Sequence, residues 1–304
     1  MDSIDSLKKQ IETAKDLEQI VSTMKALAAT NIKKYEKTSF NISKYLNNIY
    51  SGFHAIVLKN REILDTISFI ENNVNKDLKK QDITIVIGSN QGLCGRFNGK
   101  IVDFFINDTK NIDFNIDSNV LITIGDKIQL MLEAEKINID KHISLPNSIE
   151  SVVDIVNEVF KIIEEYSKKS KAVNVFVYFT QYDNKSNGIL TKKKIIPLEQ
   201  SFFKKFIDKK WPTNNIPMWR INTELLFSDL VKQYIFSSVY YAIATSMASE
   251  QKNRLLTLQG AEDNIKKNIA DITLICNQKR QNETTAELID VVSGYKLLKK
   301  NIDE

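Results

Sequence analysis

The sequence predicts an α/β domain combined with a long antiparallel two-helix coiled coil, the two helices coming from the two ends of the chain. Three observations carry that prediction. Helix breakers are confined: all four prolines, Pro146, Pro197, Pro212 and Pro217, lie well away from both ends, and of nine glycines the first is Gly52 and only Gly260 and Gly294 follow Pro217. Both ends carry apolar residues at steps of three and four, the spacing of one helix face. Between the ends the pattern changes to short β-branched runs bounded by turn residues.

At the N-terminal end Asp2 or Ser3 can cap a helix start. Ile4, Leu7, Ile11, Ala14, Leu17, Val21, Met24, Ala28, Ile32 and Tyr35 then form one stripe. Towards the other end Leu255, Leu258, Ile265, Ile269, Ile272 and Cys276 keep a seven-residue repeat, with Glu262 as its one polar member, the pattern of a coiled-coil seam. Glu262 and Lys266, like Asp263 and Lys267, stand four apart with the acid first, the favourable order on a helix. A helix from Thr223 to Gly294 spans on the order of 105 Å and one ending near Leu58 roughly 80 Å. Each is longer than a single globular domain needs. Two such helices wind antiparallel, because the chain goes out along one and returns along the other. The expected division is a discontinuous coiled-coil shaft over 1–58 and 220–304, a central domain over 80–200, and connecting segments over 59–79 and 201–219.

In the central domain "DITIVIGS" (82–89), "NVLITIG" (119–125) and "AVNVFVYFT" (172–180) read as buried strands. Helical stretches at 97–107, 126–136 and 149–168 separate and follow them. This alternation implies a small, mostly parallel, Rossmann-like sheet. "ILTKKKIIPL" (189–198) reads as an antiparallel edge strand, whose three lysines and Pro197 discourage pairing with another sheet.

Composition excludes several functions. The net charge of +4 is a small surplus of 42 basic over 38 acidic residues, too weak to point to nucleic acid. Two cysteines, Cys94 and Cys276, and two histidines, His54 and His142, supply neither a disulfide framework nor a zinc site. No stretch approaches the ~18 apolar residues of a membrane span, so direct membrane insertion is not expected. The glycine-rich "GSNQGLCGRFNGK" (88–100) suggests a phosphate loop, but the spacing fails. Counted from Gly88, a P-loop requires Gly-Lys-Ser/Thr where Leu93, Cys94 and Gly95 stand. The dinucleotide fingerprint requires glycines at positions one, three and six, and Gly88, Gly92 and Gly95 occupy one, five and eight. The turn is expected to be structural, with Gly92, Leu93, Cys94, Gly95 and Asn98 shaping it and Cys94 acting as a small buried apolar residue. Neither a catalytic residue nor a cofactor or metal site is expected.

The chain resembles the gamma subunit of rotary F-type ATP synthases over nearly its whole length. "SNQGLCGRFN" (89–98) is similar to that family's strand-to-helix turn, "IVSTMKALAATNIKKYE" (20–36) to its N-terminal helix motif, and "MASEQKNRLLTLQGAEDNIKKNIADITLICNQKRQNETTAELIDVVSG" (247–294) to its C-terminal signature. Asn90 and Gln91 replace the family's acidic-basic pair, Arg96 stands where a small residue is common, and Leu27 replaces a valine. "TMKALAA" is closer to the alternate, sodium-associated N-type branch. The resemblance implies a non-catalytic central rotor stalk, transmitting torque between an ion-driven (proton or sodium) membrane c-ring and a catalytic head of alpha and beta subunits. The epsilon subunit lies beside the foot, and the complex sits on the cytoplasmic side of a bacterial plasma membrane. It implies head-contact roles for Met24, Lys25, Arg280, Gln281, Thr285 and Glu287. Lys204, Lys205, Lys209 and Lys210, just before the C-terminal helix, are the candidate ring or epsilon contacts. Plainer readings are a solvated helix face for Arg280 and Gln281 and seam packing for Met24. The rival functions are a coiled-coil tether or chaperone arm with an α/β head, and a nucleotide-binding enzyme.

Overall fold

A computed structural model of the chain describes residues 3–60, 81–110, 119–146, 148–169, 173–183, 185–198, 200–207, 210–215 and 217–302. Lys209 and most of the expected connecting segment 59–79 lie outside them. The elements in chain order are α1 (Ile4–Lys59), β1 (Gln81–Ile87), α2 (Phe97–Lys110), β2 (Asn119–Ile124), α3 (Asp126–Ala134), β3 (Lys141–Ile143), α4 (Val152–Lys169), β4 (Val173–Gln181), β5 (Ile189–Ile196), α5 (Gln200–Ile207) and α6 (Thr223–Ile302). The terminal helices are uninterrupted, at 56 and 80 residues. α6 runs straight through Gly260 and Gly294, since one glycine costs a helix only about 1 kcal/mol. Short β3 and α5 were not anticipated.

By internal contacts the chain divides into two units, Met1–Ala28 with Leu255–Glu304, and Ala29–Arg254. The larger unit is built on a five-stranded sheet of order β3-β2-β1-β4-β5. β1 pairs in parallel with β2 and β4, β2 in parallel with β3, and β5 antiparallel with β4. Period-two alternation gives the sheet two apolar faces. Ile83, Ile85, Ile87, Ile122, Val175 and Val177 join a core with residues of α1, α4 and α6. Val86, Leu121 and Tyr178 pack with Ile101, Val102 and Phe105 of α2 and Ile128 and Leu132 of α3.

Two details position the helices of this unit. Gly52 lets α1 approach α6, for a Cβ there would lie 3.0 Å from Leu230 Cδ2. Beside it Phe53, fully buried, stacks edge-on with Phe202 and Phe203 of α5 and with Phe227 and Tyr234 of α6. The β5 lysines depart from a simple solvated edge. Lys192 Nζ bonds Asp108 Oδ2 at 2.6 Å, beside the Tyr178 hydroxyl that donates to the same oxygen. Lys193 turns to the opposite face, over the Tyr234 ring and 3.4 Å from Ser238 Oγ, where burial lowers its pKa to about 8.

Candidate functional site: the helix pair and the carboxyl edge of the sheet

In the smaller unit the first part of α1 and the second part of α6 pair antiparallel. Glu18 meets Lys266 at 3.8 Å, and Lys25, further along α1, meets Glu262, earlier on α6. On α6 the heptad read from the sequence, Leu255, Leu258, Glu262, Ile265, Ile269, Ile272 and Cys276, is buried or half-buried throughout. On α1 Ile4, Leu7, Ile11, Ala14, Glu18, Val21, Met24, Lys25 and Ala28 are likewise buried or half-buried. The expected stripe slips by one residue here: Leu17 is 50% exposed, and Glu18 takes the seam place. A strict seven-residue repeat puts two charged residues in the seam, and an apolar count alone steps around them.

The result is one polar layer. Glu262, 5% exposed, receives bonds from Lys25 and, at 2.7 Å, from Lys266. The Lys25 bond foremost, then Lys266, lowers the Glu262 carboxyl pKa. A polar layer of this kind fixes register, because any slip leaves a charge facing an apolar seam. Lys25, expected to meet a partner's acid, is engaged inside its own chain. Met24 beside it is half-buried. Arg280, Gln281, Thr285 and Glu287 are all exposed on α6, in a stretch where 280–293 is exposed throughout. The Thr285 hydroxyl donates to the Gln281 backbone carbonyl at 2.8 Å. Leu288, Ile289, Val291 and Val292, each more than half exposed, add an apolar surface to the same stretch.

The glycine-rich turn of the larger unit is a closed polar knot. Asn98 accepts from the Ser89 backbone at 2.9 Å and donates to Ser89 Oγ at 2.7 Å. Cys94 is buried, 3.6 Å from Ser89 Oγ, and burial raises its pKa. Positive φ falls on Leu93 (60°) and Gly95 (59°). Gly92 needs neither: a Cβ there would meet nothing within 4 Å. Gly88 is the close-packing glycine, where a Cβ would lie 2.4 Å from Ile128 Cβ. Asn90, which replaces the acidic residue of the resembling motif, acts as a peptide mimic. It donates to the Leu145 carbonyl at 2.6 Å and accepts from the amides of Leu145 (2.9 Å) and Asp126 (3.1 Å).

Open α/β sheets bind ligands beyond the carboxyl ends of the strands, where strand order reverses. That point lies here between β1 and β4. α6 fills it. Thr245 Oγ1 accepts from the Tyr182 amide at 2.8 Å, and Lys252 Nζ donates to the carbonyls of Asp183 and Ser186, both at 2.6 Å. Arg254 donates to the Gly92 carbonyl at 3.3 Å. At Gly188 (φ +100°) a Cβ would lie 2.3 Å from Ser249 Oγ, so the β4–β5 hairpin closes tightly on the same helix. The glycine-rich turn draws attention to nucleotide binding, and the α6 occupant is not evident from it. The signal was present in the run of small residues Ser246, Ala248 and Ser249 ahead of Glu250 and Arg254. Lys204 and Lys205 are exposed on α5 and Lys210 is exposed after it. Met218 (88%) and Ile221 (53%) are exposed further along the same connection, and Leu225 (63%) in the first turn of α6.

Long terminal helices flanking a five-stranded, mostly parallel sheet define a central-stalk class of fold. A chain in the structure of the Euglena gracilis mitochondrial ATP synthase rotor, rotational state 1, shares it with a TM-score of 0.61, at 14% identity over 92% of this chain and 98% of that one. A chain of the Tetrahymena thermophila mitochondrial ATP synthase central stalk and c-ring does so at 0.53, with 19% identity over 80% and 99%. The family model described as ATP synthase matches residues 3–298, and the chain belongs to that ATP synthase gamma-chain family. Relatives include the ATP synthase gamma chains of Rickettsia felis, 26% identical over 97% of this chain and 99% of the relative, and of Rickettsia typhi, 25% identical over the same shares.

Proposed function

We infer that this chain is the central rotor stalk of an ATP synthase. It carries torque between the ion-driven c-ring and the catalytic head and imposes different nucleotide affinities on the beta subunits in turn. The observation that supports this most strongly is an antiparallel helix pair with a register-fixing polar layer, in a chain matching the family over residues 3–298. A two-helix rod is not round, so subunits around it meet different faces, and coupling is then a difference in interaction free energy between rotary states. The chain itself performs no chemistry. The catalytic sites lie in partner subunits, and the crevice between the carboxyl ends of β1 and β4 holds α6.

In this reading Arg280, Gln281, Thr285 and Glu287, with the apolar side chains at 288–292, face the alpha and beta subunits. Arg280 offers a planar fork to carboxylates. Met24 packs beside the polar layer as a head contact, and Lys25 acts by holding that layer. Lys204, Lys205 and Lys210 with Met218, Ile221 and Leu225 meet the ring or the epsilon subunit, and Lys209 belongs with them by sequence. Among the described residues no helix is long and apolar enough to cross a membrane. The chain's place is peripheral, at the cytoplasmic face of a bacterial plasma membrane. Co-expression with the partner subunits tests this. A tagged chain brings down the head, and the double change Arg280→Ala with Gln281→Ala slows ATP-driven ion pumping while assembly persists. Recovery of the chain free of alpha and beta would overturn the reading.

A further inference from the structure

Where α1 passes the β4–β5 hairpin, the larger unit holds a cleft of about 630 Å³, within the range of small-molecule sites. Aromatic rings stand in its walls: Phe40 from α1, Tyr182 from the hairpin and Tyr241 from α6. The two tyrosines are braced from behind. Buried Thr245 accepts from the Tyr182 amide at 2.8 Å and hydrogen-bonds the Tyr241 side chain. Lys252 ties the hairpin to α6 through the Asp183 and Ser186 carbonyls. Phe40 is 56% exposed, with the Lys44 ammonium 4.4 Å from its ring centre. A ring this exposed, beside two braced tyrosines, offers a face on which a flat ligand can stack.

The charges around these rings are mostly positive. Lys33 and Lys37 from α1 and Lys185 from the hairpin belong to the lining. Among the described residues no acid forms an ion pair with any of the three, whereas Lys34, their neighbour on α1, meets Glu150 at 2.8 Å. Two acids share the lining, Asp183 and Glu36. Asp183 is engaged in its own turn, where bonds from the Ser186 hydroxyl and from the Lys185 and Ser186 amides hold its carboxyl below the usual range. Glu36 is the one acid of the lining that the hairpin does not hold, against three lysines.

We propose that this cleft is a binding site for a flat aromatic anion, its ring against Phe40 and Tyr182 and its negative group held by Lys33, Lys37 and Lys185. The lysines decide the class of ligand. A neutral aromatic gains only the stacking, and a cationic one meets like charges. An anionic one gains both the stacking and the three ammonium groups. Two sources share this chemistry, a nucleotide and an aromatic carboxylate, and the volume admits either. The site lies outside the residues assigned above to the head and the ring.

The test uses the full chain and two fluorescent probes of one shape, anilinonaphthalene sulfonate and uncharged phenylnaphthylamine. Both also respond to apolar side chains exposed elsewhere, so the readout is the change made by substitutions confined to the cleft. Phe40→Ala should weaken the sulfonate about fivefold. Lys37→Glu with Lys185→Glu should weaken it about tenfold and leave the uncharged probe within about twofold. Glu36→Gln should tighten the sulfonate about twofold. All these positions but Glu36 are exposed, and urea midpoints read at the tryptophans show that each variant stays folded. Competitors then identify the source. Displacement by ADP and not by adenosine assigns a nucleotide, and displacement by hydroxybenzoate and not by phenol assigns an aromatic carboxylate. Three results would overturn the proposal: sulfonate binding that the lysine reversal leaves unchanged, an equal loss of both probes, or a bound sulfonate that neither competitor displaces.

Discussion

Replacing Glu250 by glutamine should change how the stability of the larger unit depends on pH. Glu250 is 6% exposed, and burial raises its pKa from 4.5 to about 7. The folded state therefore binds its proton more tightly than the unfolded chain does. Stability falls as pH rises from the unfolded value through the folded one, and the loss is complete above it. At about 1.4 kcal/mol per pKa unit, the loss between pH 5 and pH 8 is about 2–3 kcal/mol. Glutamine does not titrate, so Glu250→Gln lacks that decline. The stability of the variant relative to the unaltered chain should climb by the same amount over the range, whatever the variant gains or loses at pH 5. Both tryptophans, Trp211 and Trp219, belong to the larger unit, so urea unfolding followed by tryptophan fluorescence reports on it selectively. Unfolding curves at half-unit pH steps for the two proteins give the difference directly, and titrations common to both cancel. Parallel profiles from pH 5 to pH 8 would refute the argument that Glu250 sits uncharged or strained in a buried crevice.

Three further outcomes follow from the packing. Phe53→Ala, which empties a fully buried position among Phe202, Phe203, Phe227 and Tyr234, should destabilise the same unit by about 3–5 kcal/mol in urea. Asn90→Asp keeps the two accepting contacts but removes the donor to the Leu145 carbonyl, and should cost about 1–3 kcal/mol in that assay even though an acid is the family's usual residue there. In the smaller unit the Lys25 and Lys266 bonds lower the Glu262 pKa below 4.5. Their stabilisation is present above that value and is lost as pH falls through the lowered one. Exchange protection of the amides at 255–276 should accordingly drop on acidification, and Glu262→Gln should flatten the drop.

Much of this architecture is legible in the residue order, for physical reasons that differ by element. Ile83–Ile87 and Val120–Ile124 are β-branched runs buried on both faces, so their hydrophobicity alone marks them. The terminal helices are marked by what they lack, since almost no proline or glycine interrupts them. β3 escapes notice because three residues, Lys141, His142 and Ile143, carry no pattern. α5 is hidden because its Phe202, Phe203 and Phe206 lie among lysines in a segment read as connection.

Legibility fails most where polar groups do structural work. Glu18 and Lys25 occupy seam places that an apolar count skips, and their partners on α6 are more than two hundred residues away in the chain. Lys193 looks like its edge-strand neighbours Lys192 and Lys194, yet strand alternation turns it inward to Tyr234. Asn90 reads as a departure from a motif, while its meaning lies in bonds to Leu145 and Asp126. The crevice filled by α6 could be inferred only from a fold in which β1 and β4 are neighbours. That adjacency is a product of long-range pairing, and a local pattern does not contain it.

The most direct measurement is rotation itself. A bead fixed to exposed Lys204 or Lys205, in a complex held by its catalytic head, should turn in one direction on ATP addition, with three dwells per revolution for three catalytic sites. A bead that stays still while the anchored head hydrolyses ATP would contradict a rotor-stalk role for this chain.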